Sequence, residues 1–295
     1  MAAAPTSPSV SPLTARRTWR TLEPVHGMIY FAPEAARSYR ALGIAPGAGY
    51  FASRSAPMGA VGADTVIATF FNFAPHLVQE AIPAAWRAAS PGQVIEARTG
   101  AADAALRRIL GDDEDSAGMV RAAGLARRAA EHAATRPEGR PLFAAHAGLE
   151  WPDPPHLVLW HAQTLLREFR GDGHITVLIH ADLGPVEALV LHMATGELPG
   201  SFLRDSRGWP DEAWDDGVDR LVERGLVRRA DPDGPAGPPV VLTAEGASLR
   251  HGMEEDTDRL AVLPYRALGE NGCEELRALA RPFSRALVDA GGLPT

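Results

Sequence analysis

The chain contains no lysine; all 29 of its basic residues are arginine. That absence excludes Schiff-base chemistry, a lysine general base and the lysine of a phosphate-binding loop. There is one cysteine, Cys273, so neither an internal disulfide nor a cysteine-built zinc site is expected. No apolar run approaches the roughly 18 residues of a membrane span. The first residues, 1–16, are Ala/Pro/Ser-rich and lack the basic and apolar regions of a signal peptide. They are read as a disordered leader on a cytoplasmic protein.

Other absences narrow the chemistry. No Gly-x-Gly-x-x-Gly follows a strand and no Gly-x-Ser-x-Gly occurs, so nucleotide cofactors and hydrolase triads find no support. Of the ten histidines, the close pairs His156/His161 and His174/His180 are five and six apart. Neither spacing puts two ligands on one helix face, so no metal and no other cofactor is expected. Basic residues are outnumbered by 37 carboxylates, giving a net charge of −8. A nucleic-acid binder usually carries the opposite balance.

What is present is an ordinary globular composition, 45% apolar and 22% charged over 295 residues. The length suggests two domains at roughly 150 residues each. The pattern is mainly α. A helical N-terminal domain is expected over 17–150 and a second domain over 151–295, divided at the rigid Trp151-Pro152-Asp153-Pro154-Pro155 junction. Ser90, Pro91 and Gln93 form a helix start with a capping box. The Gly-rich stretch 44–62 reads as a loop, and Pro75 and Pro83 divide the next segment into short helices. A helix is expected from His156 to Phe169, broken by Arg170-Gly171-Asp172-Gly173. Further on, a helix over 211–224 precedes two short strands, 226–229 and 239–243, and Thr243 caps the helix that follows.

Helix, short helix, helix, hairpin, helix is the order of a winged-helix domain with a small β-hairpin wing. The segments LVERGLV (221–227) and VVLTAEGASLR (240–250) resemble the wing region of MarR-type regulators. In that arrangement the helix before the wing enters the major groove. Here that helix opens with Asp211, Glu212, Asp215, Asp216 and Asp219 and has no base among its first nine residues. Phosphate contacts need Lys or Arg, so nucleic-acid binding is not expected of this surface.

From Trp19 to Pro294 the chain resembles an actinobacterial family of helix-turn-helix proteins. EPVHGMIYFAPEA (23–35), GYFASRSAPMGAVGA (49–63), ATFFNFAP (68–75), RPLFAAHAGLEWP (140–152), LLREFRGDGHITVL (165–178) and RGW (207–209) carry the likeness. The resemblance implies, for at least one branch, a cofactor-free cyclase of polyketide biosynthesis that closes a large ring by dehydration and Michael-type addition. Two positions depart from the family pattern: Phe71 stands where Tyr is usual, and His146 where Asn is usual. Either change alters the substrate or the proton inventory.

Several residues suit acid–base chemistry. Arg170, Asp172 and His174 cluster within five residues. His and carboxylate can exchange protons near neutral pH, and Arg can steady an enolate oxygen. The alternative is capping: Asp172 at a helix start, Arg170 at a helix end. His26 and Tyr30 share a helix face four residues apart, as do His161 and Glu168 seven apart. Catalytic candidates are thus His26, Glu168, Arg170, Asp172 and His174. Substrate-binding candidates are Tyr30, Tyr50, Arg54, Asn72, His146, Trp160 and His161, with Tyr50 and Arg54 placed on the Gly-rich loop. The expected partner is a large apolar small molecule, and the oligomeric state is left open between monomer and homodimer. The alternatives to the cyclase are a ligand-binding winged-helix regulator and a non-catalytic helper in the same pathway.

Overall fold

The computed structural model describes residues 9–230 and 239–291. It is mainly α, as expected, with one two-stranded sheet. In chain order the helices are α1 (Pro12–Gly27), α2 (Pro33–Ala41), α3 (Ala48–Ser55), α4 (Ala63–Phe70), α5 (Pro75–Ala88), α6 (Pro91–Leu110), α7 (Ala117–Ala133) and α8 (Pro141–Ala147). There follow α9 (Pro155–His180), α10 (Pro185–Met193), α11 (Gly200–Arg207), α12 (Asp211–Glu223), α13 (Ala244–Leu260) and α14 (Gly269–Asp289). Strands β1 (Val227–Arg229) and β2 (Val240–Leu242) pair antiparallel, with Val227 opposite Leu242. Among the described residues no single helix is long and apolar enough to cross a membrane.

The chain divides into two compact units that do not follow a linear boundary at Trp151. The first comprises residues 1–62, 81–173 and 258–295; the second comprises 63–80 and 174–257. Helices α5, α9 and α13 each carry the chain across that division.

In the first unit, α1 packs along α14, α2 on α6, and α7 on α14. The contact stripe of α7 is Met119, Ala122, Ala126, Ala129 and Ala133, all buried, and such small side chains allow close helix approach. Local start signals place the helices. Ser11 caps α1 through Thr14 N, and Ser90 with Gln93 forms the expected capping box of α6. Helix α1 begins at Pro12, so the leader expected over 1–16 gives way to helix for its last five residues; residues 1–8 lie outside the described residues.

Three further expectations are corrected. The Gly-rich stretch 44–62 contains α3 and a 3-10 turn over Ala56–Met58. Gly49 serves packing there: a Cβ at this position would lie 2.5 Å from the Tyr39 ring, so glycine lets α3 approach α2. The break expected at Arg170–Gly173 is absent, and α9 runs unbroken for 26 residues. Two mid-helix glycines cost about 1 kcal/mol each relative to Ala, while burial of Leu159, Leu165, Leu166 and Phe169 contributes about 2 kcal/mol per side chain. Likewise Pro83 lies inside α5 without dividing it.

In the second unit, Leu189, Val190, Trp214, Val218, Leu221, Val227 and Val240 form the core of a helix, short helix, helix and hairpin order. Thr243 Oγ1 accepts from Gly246 N at 3.0 Å, the expected cap of α13. The hairpin loop 231–238, with Asp231 and Asp233, lies outside the described residues.

Candidate functional site

The first unit gathers most of the candidate residues around α9. Helix α1 contributes His26, fully buried, and the following turn contributes Tyr30. Thr164 donates its hydroxyl hydrogen to Trp160 O at 2.9 Å. Its oxygen is therefore the acceptor for His26 Nδ1, also at 2.9 Å. With the proton on Nδ1, His26 Nε2 carries a lone pair, and the Tyr30 hydroxyl donates to it at 2.8 Å. Burial, then Arg167 and Arg98, keeps the His26 imidazole well below its ordinary range. Burial likewise pushes the Tyr30 phenol up to about 12. Neutral Tyr and neutral His are thus joined in a relay whose direction is fixed by Thr164.

Tyr30 and Tyr50 meet at 5.0 Å between centroids with their rings tilted at 52°, and they line a cavity of about 300 Å³ with Tyr39 and Ser53. Tyr50 and Arg54 lie one helical turn apart on α3, not on a loop, and Arg54 Nη1 donates to the Tyr50 hydroxyl at 3.1 Å. Arg54 also grips Glu168 through Nε–Oε1 at 2.9 Å and Nη2–Oε2 at 2.7 Å. Burial alone would raise the Glu168 carboxyl, but Arg54 and then Arg167 hold it well below the usual carboxylate range. Glu168 is therefore a fixed anion and not a proton donor.

A second cavity of about 310 Å³ is lined by Arg98, His146, Trp160, His161 and Thr164. Thr164 thus touches this cavity and the His26 relay. His146 Nδ1 donates to Leu142 O at 2.9 Å, so its Nε2 accepts from Arg98 Nη1 at 3.1 Å. Burial and Arg98 lower His146 to about 3; burial, Arg98 and Arg127 lower His161 to about 4.

The Arg-Gly-Asp-Gly-His segment comes apart. Arg170 Nη1 donates to Asp258 at 2.7 Å and its guanidinium lies over Trp19. Asp172, inside α9, accepts through Oδ2 from Phe143 N at 2.9 Å in the first turn of the preceding helix α8; it does not cap a following helix, as the structural alternative from sequence had it. Burial pushes the Asp172 carboxyl up to about 6. His174 lies in the second unit, with Nδ1 3.0 Å from Thr257 Oγ1. Asn72 also belongs there: its carbonyl accepts from Trp209 Nε1 at 2.9 Å while its buried Oδ1 has no partner. Phe71 beside it is left-handed, φ 61°, rare for a bulky side chain.

Sequence reasoning missed Arg98, Thr164, Arg167 and Glu23. Arg98 was findable: it interrupts the apolar α6 face of Val94, Ala101, Ala102 and Ala105 at helical spacing. Glu23 and Arg167, paired at 3.0 Å, carry no such local signal.

On the second unit, the six carboxylates of α12 are all exposed. The wing's Arg229 pairs with Asp219 at 2.5 Å, and Arg220 with Glu187 at 3.1 Å. Helix order and hairpin together define a helix-turn-helix protein. The chain belongs to the helix-turn-helix family, whose model matches residues 15–294. No curated protein and no solved structure matches it.

Proposed function

We propose that this protein is a cofactor-independent cyclase of polyketide biosynthesis, closing a ring on a large apolar intermediate by dehydration and oxygen addition. The observation that carries the reading is the Tyr30–His26–Thr164 relay at the wall of a cavity. Such a reaction breaks one C–O bond, releasing water, forms another, and needs only proton transfers from the protein. In the elimination, a base takes the proton α to a carbonyl and an acid protonates the departing hydroxyl, which leaves as water. In the addition, the attacking hydroxyl gives up its proton and the α-carbon regains one. Tyr30 is the group that meets substrate, and neutral His26 positions its hydroxyl by accepting its hydrogen bond. The Arg54–Glu168 pair fixes Tyr50 opposite. Arg170, Asp172 and His174 have no part in this scheme.

The test is incubation of the full chain with a linear β-hydroxy carbonyl substrate bearing a distal hydroxyl. A product lighter by one water and containing a new cyclic ether supports the reading. Tyr30→Phe, which keeps the ring, should lower turnover by about 100-fold. Unchanged substrate, or full activity in Tyr30→Phe, overturns it.

A second reading, a ligand-binding winged-helix regulator, is favoured by the winged-helix order of the second unit. The outward acidic face of α12 weighs against it.

A further inference from the structure

Three residues that line the second cavity carry four buried polar atoms without a hydrogen-bond partner. Arg98 is 4% exposed, and no carboxylate pairs with it. Its Nη1 serves His146 and the carbonyl of Ser53, but Nε and Nη2 have no partner. Trp160 Nε1 and His161 Nε2, on residues 4% and 5% exposed, are also unpartnered. Leaving one buried donor unmade costs about 1–3 kcal/mol, and more on a charged group. Four such atoms around one cavity therefore describe a site shaped for something the chain does not itself supply.

The geometry of the open side names the chemistry. Nε and Nη2 form the edge of a guanidinium that matches the two oxygens of a carboxylate. The chain uses this edge that way three times: Arg54 on Glu168, Arg108 on Glu34 and Arg121 on Glu275, with distances of 2.7–3.2 Å. At Arg98 the same two nitrogens are buried without a hydrogen-bond partner, and the residue lines a cavity of about 310 Å³. The remaining walls are Pro57, Ile95, Leu149, Trp151 and Pro152, which suit a hydrocarbon body. Glu150, at the rim, is exposed and leaves the fork open.

We propose that this cavity binds the carboxylate end of an apolar small molecule, with Arg98 Nε and Nη2 as a two-pronged holder and Trp160 Nε1 as a third donor. The carboxylate neutralises the one buried guanidinium of the cavity, and the apolar walls receive the chain behind it. A free acid is thereby distinguished from the corresponding amide or ester, which offers one acceptor and no charge. The proposal concerns binding alone and does not rest on the proton chemistry of Tyr30, although Thr164 lines this cavity and also meets His26.

The test is calorimetry on the full chain with decanoate and with decanamide, which share the hydrocarbon body. Decanoate should bind at least about 30-fold more tightly, the worth of a bidentate charged contact at about 2 kcal/mol. Arg98→Gln should erase that preference, and Trp160→Phe should weaken decanoate several-fold while keeping the ring. Circular dichroism and unliganded melting establish that each variant is folded; should Arg98→Gln not fold, Trp160→Phe carries the comparison. Equal binding of acid and amide, no binding of either, or an acid preference that survives both variants overturns the proposal. Because the readout is affinity, a failed cyclisation assay leaves it standing, and its failure leaves the Tyr30 reading standing.

Discussion

Arg54 and Glu168, 114 residues apart in the chain, meet inside the first unit through two parallel hydrogen bonds of 2.9 and 2.7 Å. Arg167 adds a third contact to Glu168 at 3.2 Å. Removing one partner of a buried pair leaves an uncompensated charge. Glu168→Gln should therefore destabilise the fold by about 3 kcal/mol, lowering the urea midpoint. Arg54→Lys should also destabilise, since an ammonium cannot reproduce the two-pronged contact. A midpoint unchanged in Glu168→Gln would show that the pair contributes nothing to the fold.

The continuity of α9 separates its two glycines. A Cβ at Gly171 would make an ordinary contact, 3.7 Å from Glu168 Oε2, whereas one at Gly173 would lie 2.7 Å from Arg140 Nη1. Arg140 donates to Phe169 O and lies over the Phe169 ring, so it cannot move without loss. Gly171→Ala should stabilise by about 0.5–1 kcal/mol. Gly173→Ala should lower the melting temperature. Two equally destabilised variants would point to a turn in place of the helix.

Acid should unfold the protein early, with a recognisable exception. His26 titrates well below its ordinary range, His146 near 3 and His161 near 4. Each is depressed in the folded state, so the unfolded chain binds the extra protons below about pH 6.5 and stability falls as pH drops. Asp172, raised to about 6, acts with the opposite sign: its ionisation costs stability as pH rises from about 4 to 6. Asp172→Asn keeps an acceptor for Phe143 N. It should be more stable than the parent at pH 7, by up to about 3 kcal/mol. Denaturation at pH 7 and pH 4.5 should show that gap closing; a gap independent of pH would mean Asp172 does not titrate in this range.

Duplex DNA should not be retarded by the full chain at 0.15 M salt. The carboxylates of α12 all face outward, and Arg229 is spent on Asp219. Replacing Asp211, Glu212, Asp215 and Asp216 with Asn or Gln should raise non-specific affinity measurably in a gel shift. Tight, salt-sensitive binding by the parent chain would assign α12 the regulator's role.

Much of the local structure was legible in the residues. The capping box at Ser90, the Thr243 cap, the acidic helix beginning at Asp211 and the paired strands follow from signals within a few residues. So did the shared face of His26 and Tyr30, four residues apart. The continuous α9 was not legible, because Gly171 and Gly173 carry a local preference that burial on both sides overrides. The same glycines suggested an active turn where the side chains are separately committed to Asp258, Phe143 N and Thr257.

The sequence by itself determined the helical content, the hairpin, the absence of amine chemistry and the acidity of α12, since each depends on composition or on neighbours along the chain. Only the tertiary structure decided which polar groups face one another. Arg98 and Arg54 sit on helices of similar local character, yet Arg54 meets Glu168 while Arg98 meets His146 and the Ser53 carbonyl. That difference arises from residues distant in sequence, brought together or left apart by packing: it makes Arg54 the brace of Glu168 and leaves two nitrogens of Arg98 without a hydrogen-bond partner.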